Sequence, residues 1–118
     1  MEAIDLISNV FRIIAQLRPT YWFIENPRGM LRKIPPFDSL PIRTISYCRY
    51  GEDRQKPTDV WTNCDIWKDR GICKRGDSCH VAAPRGSRTG TQGRKGAYNR
   101  AILPLELCEE ISAVVRDG

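Results

Sequence analysis

The sequence lacks any apolar run near the roughly 20 residues that a membrane-spanning helix needs. Its first six residues include Glu2 and Asp5 but no basic residue, so they do not resemble a secretory signal. Charged residues make up 28% of the chain, which also argues against a membrane protein. These absences predict a cytoplasmic protein with no membrane partner.

The chain is poor in histidine, and its number of cysteines is odd. The chain has one histidine and five cysteines. An odd number of cysteines without an export signal argues against a disulfide framework. Metal ligation and reduced thiols in the core are the better explanations.

The positive charge is concentrated in one segment. The formal net charge is +5, and residues 68–100 carry nine Lys or Arg against only Asp69 and Asp77. Such a basic block favours a polyanion partner, whose phosphates would supply affinity but not sequence choice. A solvated, flexible loop is the alternative explanation.

Hydrophobic periodicity predicts a helix at each end of the chain. Apolar residues recur at helical spacing in 3–17 and stop before Pro19. A second helix is predicted to start at Pro104 and to run to about 116, with Cys108 on its apolar stripe.

Three strands are predicted between these helices, at 21–24, 43–49 and 59–62. The first is a continuous aromatic and β-branched run, typical of a strand buried on both faces of a parallel sheet. The second alternates polar and apolar residues and is expected to pair with the third in an antiparallel hairpin. The first strand has no parallel neighbour within the chain, so the predicted α/β fold is a partial one.

The strand at 21–24 runs into Glu25, Asn26 and Pro27. This segment resembles the motif of DNA cytosine-5 methyltransferases in which a buried strand ends in Glu-Asn. The resemblance implies that Glu25 contacts N3 and the exocyclic amine of a flipped cytosine, donates a compensating proton and rejects thymine. Asn26 would then fix the loop. An ordinary strand end with an acid and a turn residue is the structural alternative.

Later segments extend the resemblance in chain order. Segments 43–63, 83–93 and 99–104 look like phage-type members of this methyltransferase group. They include Tyr50-Gly51, after which Arg54 and Lys56 fall at the Gln and first Arg positions of the family's Gln-x-Arg-x-Arg element.

The resemblance implies a methyltransferase-like (Rossmann-like) sheet of about three strands with flanking N- and C-terminal helices. One partial domain, 1–118, would comprise core elements in 1–63, a basic loop in 64–96 and a C-terminal helix in 97–118. A cofactor contact is assigned to Asn99. The expected DNA contacts are Arg28, Arg54, Lys56, Lys74, Arg75, Arg85, Arg88, Arg94 and Lys95.

A second constellation is Cys64-x8-Cys73-x5-Cys79-His80. Three thiolates and an imidazole suit tetrahedral Zn²⁺, and an irregular polar loop has little else to hold it. The spacing after Cys73 also resembles a Cys3His zinc finger, although there the His lies three residues beyond the third Cys. Reduced thiols beside a surface His, or a disulfide, are the alternatives. Cys48 is expected in the core.

No cysteine precedes Glu25, and no Gly-rich loop is present that could hold S-adenosylmethionine. The predicted function is therefore the C-terminal portion of a DNA cytosine-5 methyltransferase, inactive alone, with S-adenosylmethionine bound only if an upstream half completes the site. The partners would be DNA and a complementary half or a homo-oligomer. One alternative is a zinc-stapled nucleic-acid-binding module, and another is a degenerate, oligomerising remnant.

Overall fold

The computed structural model describes residues 3–74, 77–80 and 102–117. This part of the chain forms a small α/β fold in which N- and C-terminal helices flank a three-stranded antiparallel sheet. The elements in chain order are α1 (Ala3–Leu17), β1 (Phe23–Pro27), 3₁₀ turns at Met30–Lys33 and Phe37–Ser39, β2 (Ile42–Ser46), a 3₁₀ turn at Tyr47–Tyr50, β3 (Pro57–Thr62) and α2 (Leu105–Asp117). None of the described helices is long and apolar enough to cross a membrane.

Strand β3 is the centre of the sheet. It pairs antiparallel with β1 on one side and with β2 on the other, so that Val60 lies opposite both Glu25 and Arg43. The predicted antiparallel hairpin of the second and third strands is confirmed. Because both outer strands oppose β3, β1 and β2 run parallel to each other and their carboxyl ends meet at one edge, which we call the carboxyl edge.

The expectation for β1 is corrected in two respects. Its partner is the antiparallel β3, and its residues are half-buried or exposed rather than buried on both faces. The physical reason is the hairpin, because β3 folds back from β2 and inserts between β2 and β1. The strand buried on both faces is therefore β3, whose four central residues are all buried.

Apolar side chains cover both faces of β3. On one face, Val60 belongs to a buried cluster with Ile45, Tyr47 and Leu107 of α2. On the other, the Trp61 ring lies 4.7 Å from that of Phe37, which in turn lies 5.3 Å from the Phe11 ring of α1. Side chains alternate between the faces of a strand, so consecutive residues of β3 connect the sheet to the two helices.

The two predicted helices are confirmed, but the expectation for Cys108 is wrong. Leu107 is buried and Ile111 and Val114 pack against the same cluster, whereas the Cys108 thiol is exposed. Residues i, i+4 and i+7 share one helix face, and the next residue is turned by about 100° from it. Cys108 therefore lies outside the narrow contact face of α2.

Gly51 ends the turn after β2 in a conformation that other residues rarely adopt. Its φ is 88°, and a Cβ at this position would lie 2.6 Å from Oε2 of Glu106. Glycine alone combines this backbone angle with the close approach of α2. The Tyr-Gly pair of the sequence is thus explained by the packing of the C-terminal helix on the turn.

A polar contact fixes the segment between β1 and β2. Arg32 donates from Nε and Nη2 to the two carboxylate oxygens of Asp59, at 2.9 and 2.6 Å. The Thr44 hydroxyl donates to the same carboxylate at 2.9 Å. Asp59 is only 1% exposed, so the guanidinium supplies the charge that its burial requires.

We predict that Arg32→Met destabilises the protein by about 2 kcal/mol, because it leaves the buried Asp59 carboxylate without its cation. This value is below that of a fully buried pair, because the Arg32 side chain is 37% exposed to solvent. Denaturant unfolding measures the change. Arg12→Met on the exposed side of α1 is the control, and an equal loss in both variants contradicts the prediction.

Candidate functional site

Strand β1 extends through Pro27, so Glu25 lies within the strand rather than after it, and the sheet brings it close to the turn that follows β2. The Tyr47 hydroxyl donates a hydrogen bond to Oε2 of Glu25 at 3.3 Å. Glu25 itself is exposed, whereas Tyr47 is fully buried. The acid therefore faces solvent while a buried phenol holds one of its oxygens, an arrangement in which the other oxygen can contact a ligand.

Two cations lie over the Tyr47 ring. The guanidinium carbon of Arg54 is 5.3 Å from the ring centroid and Nζ of Lys56 is 4.9 Å from it. Burial, and next the Glu25 carboxylate, raise the pKa of the Tyr47 phenol well above its ordinary value of 10.0. Tyr47 is therefore a neutral donor to Glu25 at physiological pH.

Of these two cations, Lys56 is half-buried and Arg54 is fully buried. Nη2 of Arg54 donates to the Ile102 carbonyl at 2.8 Å, and its Nε lies 3.7 Å from the Glu52 carboxylate. A phosphate contact needs an exposed guanidinium, so the structure does not present Arg54 to DNA as the sequence led us to expect. It places Arg54 beneath the site, beside Tyr47.

A second cluster begins at Cys48, the residue after Tyr47, and could hold a metal ion such as zinc. We call it the metal-binding cluster. One ligand atom each from Cys48, Cys73, Cys79 and His80 lie within 4.8 Å of one another. The Cys48 sulfur is 3.0 Å from that of Cys73 and 3.3 Å from that of Cys79. Nδ1 of His80 lies 3.5 Å from Sγ of Cys73 and 3.6 Å from Sγ of Cys79.

These separations are close to those of a tetrahedral site. Zinc–sulfur bonds of about 2.3 Å place two sulfur ligands about 3.8 Å apart, and a sulfur and a nitrogen ligand about 3.6 Å apart. The measured sulfur–nitrogen distances agree with this value. The sulfur–sulfur distances of 3.0 and 3.3 Å are shorter than about 3.8 Å, so a bound ion requires the sulfurs to move apart by less than about 1 Å.

The donor set differs from the predicted one at a single position. Cys64 is fully buried in the hydrophobic cluster with Ile45 and Trp67, and Cys48 takes the place expected for it beside Cys73. The reason lies in the sheet. Cys48 follows β2 at the carboxyl edge, where the loop carrying Cys73 returns, whereas Cys64 follows β3 at the opposite edge.

Burial raises the pKa of Cys48, and hydrogen bonds with Cys73 and Cys79 raise it further. Burial also acts to raise the pKa of Cys73, but hydrogen bonds from Cys48, Ser46 and Cys79 outweigh it, and the net pKa is lowered. Cys73 is therefore a more acidic thiol than Cys48. A divalent cation would replace the shared protons.

Hydrogen bonds of Gly71 and Cys73 hold the loop that follows Trp67 against β2. Ser46 donates its N–H to the Gly71 carbonyl at 3.0 Å, and its hydroxyl oxygen accepts from the Cys73 N–H at 3.0 Å. Asp77 accepts from the Lys74 N–H at 2.7 Å, which closes the turn before Cys79. The donors therefore come from two segments that are already joined by hydrogen bonds.

Glu110 of α2 anchors the other side of this loop. Its Oε2 accepts from the Tyr50 hydroxyl at 2.6 Å and from Nε1 of Trp67 at 2.9 Å, and its Oε1 accepts from Nε of Arg70 at 3.2 Å. These three donors make Glu110 a polar contact that joins α2 to the turn and to the loop.

Several predicted site residues have defined places. Asn26 lies half-buried on β1, Arg28 is exposed directly after that strand, and Lys74 is exposed on the loop beside the metal-binding cluster. The remaining predicted DNA and cofactor contacts lie outside the described residues: Arg75, Arg85, Arg88, Arg94, Lys95 and Asn99.

Sequence reasoning missed Cys48 as a donor and Tyr47 as the partner of Glu25. The available signal was position, because both residues come directly before Arg49-Tyr50-Gly51, at the end of a predicted strand. Their partners are 25 and 22 residues away in the chain, so only the sheet brings them together.

No protein-family model, no curated protein and no solved structure matches this chain.

Proposed function

We propose that the chain is the C-terminal portion of a DNA cytosine-5 methyltransferase, to which it contributes the cytosine-reading acid Glu25 and DNA contacts. The observation that carries this proposal is the position of Glu25, exposed in the middle of β1 with one carboxylate oxygen accepting from the Tyr47 hydroxyl. Two sequence blocks that resemble the same family, 25–27 and 43–63, meet at this point.

The sheet supports a partial Rossmann-like domain. Open α/β sheets bind ligands outside the carboxyl ends of parallel strands, and Tyr47 follows β2 at such an edge, from which its hydroxyl contacts Glu25 of β1. Strand β1 pairs through one edge with β3, and in the ranges that the structure describes no strand covers its other edge. That edge fits a further strand from a complementary half, as the proposal requires.

In the proposed reaction, attack of a thiolate on C6 of a flipped cytosine moves electron density toward N3. The carboxyl group of Glu25 would contact N3 and the exocyclic amine and supply the compensating proton. Thymine offers a carbonyl and a ring N–H in place of these groups and would be rejected. The thiolate and the S-adenosylmethionine site must come from elsewhere, because no cysteine precedes Glu25 in this chain.

The charges around the edge suit a phosphate backbone. Arg28 and Lys74 are exposed, and the net charge of the chain is +5. Contacts of this kind give affinity that falls as salt rises, without choosing a base sequence. Choice of the base would come from Glu25.

We predict that Glu25→Gln lowers affinity for a duplex carrying one unpaired cytosine by about tenfold, the effect of losing a hydrogen bond to a charged group. Affinity for the same duplex with an unpaired thymine should not change. Fluorescence anisotropy at low salt measures both. Glu109→Gln, an exposed acid of α2, is the control. Unchanged discrimination in Glu25→Gln excludes the proposed role.

We also predict that the 118-residue chain transfers no methyl group from labelled S-adenosylmethionine to DNA. The expectation follows from the missing nucleophile and Gly-rich loop. Scintillation counting after incubation with mixed-sequence duplex checks it, with an active cytosine-5 methyltransferase as the positive control. Methyl transfer by the purified chain contradicts the proposal.

A second candidate function is a zinc-stapled nucleic-acid-binding module, and the metal-binding cluster favours it specifically. We propose that the cluster binds a structural zinc ion, because three thiols and an imidazole match its preferred ligands. Lys74 lies directly after Cys73, so the ion would hold a basic residue in place beside the edge.

We expect native mass spectrometry to find one zinc ion per chain. Cys73→Ser should lose the ion, because one of four ligands is removed, whereas Cys108→Ser, at an exposed thiol of α2, should keep it. A zinc-free wild-type chain that cannot be loaded contradicts this prediction. If chelation abolishes DNA binding while Glu25→Gln leaves it intact, the binding module is the better description. A stable dimer without affinity for nucleic acid would indicate a remnant.

A further inference from the structure

The turn Tyr47–Tyr50 belongs to the acid site and to the metal-binding cluster at once. The Tyr47 hydroxyl donates to Glu25, while the sulfur of the next residue, Cys48, lies 3.0 Å from that of Cys73. Only one peptide unit separates the two side chains. A displacement of Cys48 therefore moves the backbone that carries Tyr47.

Hydrogen bonds hold this turn from both sides. The Tyr47 N–H donates to the Gln55 carbonyl at 2.8 Å, and Ser46 is bonded to Gly71 and to the Cys73 N–H at 3.0 Å each. The second set of bonds comes from the loop that carries three of the four metal donors. The position of the turn thus depends on how firmly that loop is closed.

Sγ of Cys79 contacts the turn directly, at 3.3 Å from that of Cys48, and two residues earlier Asp77 pairs with Arg49 of the turn at 3.4 Å. Hydrogen bonds between thiols are weak, because sulfur is a poor donor and acceptor. Metal–thiolate bonds are much stronger and have a defined geometry. An ion at this cluster would replace these weak contacts between sulfur atoms by strong metal–ligand bonds that join the loop to the turn.

The Tyr47 ring is confined on its other sides. Arg54 and Lys56 lie over it, and its edge belongs to the buried cluster that contains Ile45 and Val60. These contacts prevent the ring from rotating independently of the turn. A shift of the turn backbone therefore changes the direction of the phenol hydroxyl. This makes the hydroxyl sensitive to the position of Cys48.

We propose that an ion bound by Cys48, Cys73, Cys79 and His80 fixes Tyr47 as a positioning residue for the Glu25 carboxylate. The ion would be a positioning element of the base-reading site in addition to a staple for the loop. A carboxylate that reads one edge of a base must be held within a fraction of an ångström and a narrow range of angles. The inference rests on the proposed function of Glu25 for its purpose, but the coupling itself does not require DNA.

The test uses the whole chain labelled with ¹³C at the glutamate side-chain carboxyl carbon, loaded with zinc and observed by NMR at neutral pH. Glu25→Gln and Glu110→Gln assign two of the resonances. Tyr47→Phe, which keeps the ring and removes the hydroxyl, should move the Glu25 resonance and leave that of Glu110. Tyr50→Phe is the matched control, because its hydroxyl bonds Glu110 and it should move only that resonance.

Removal of zinc by a chelator should move the Glu25 resonance in the same direction as Tyr47→Phe does. In the Tyr47→Phe variant, chelation should have less than a third of its effect in the wild type, because the coupling passes through the hydroxyl. A Glu25 resonance that stays in place after verified loss of the ion overturns the proposal. So does an equal effect of chelation with and without the hydroxyl.

If the metal-free chain unfolds, exchange of zinc for the larger Cd²⁺ replaces chelation. The Glu25 resonance should then shift in the wild type and not in Tyr47→Phe, and the absence of any shift overturns the inference. Discrimination between unpaired cytosine and thymine is measured on the same samples. If the coupling is present but the zinc-loaded wild type shows no preference for cytosine, the proposed function fails and the inference stands.

Discussion

The fold depends on the burial of β3 between the two outer strands. Val60 on one face and Trp61 on the other are both buried, which ties the strand to α2 and to α1. Because β1 and β2 both oppose it, their carboxyl ends are forced to the same edge of the sheet. Tyr47 and Cys48 follow β2 directly at that edge, where the phenol contacts Glu25 and the thiol joins the metal-binding cluster.

Polar and charged groups meet around the turn Tyr47–Tyr50. Tyr47 supplies a neutral donor to Glu25, and Arg54 and Lys56 lie over the ring from which that donor extends. On the opposite side of the loop, Glu110 collects three donors and connects α2 to the same turn. The turn is thus held by groups from strand, loop and helix, which accounts for its burial despite its irregular backbone.

The two candidate functions place different requirements on Glu25 and on the metal-binding cluster. A methyltransferase half needs Glu25 in a defined direction and tolerates the metal-binding cluster as a support. A binding module needs the cluster and the basic loop and has no use for a directed acid. Cys48 and Tyr47 lie next to each other, so a structural ion could serve the first function without adding a separate domain.

The sequence by itself determined the two helices, the hairpin of β2 and β3, and the residue types of both candidate sites. Periodicity and turn residues are local properties, which is why 3–17 and Leu105–Asp117 could be read directly. Only the tertiary structure decided that β3 inserts beside β1, that Cys48 replaces Cys64 among the metal donors, and that Tyr47 holds Glu25. Each of these contacts joins residues more than 20 positions apart. Strand order and the alternation of side chains decide which residues meet, and the spacing of residues along the chain does not specify either.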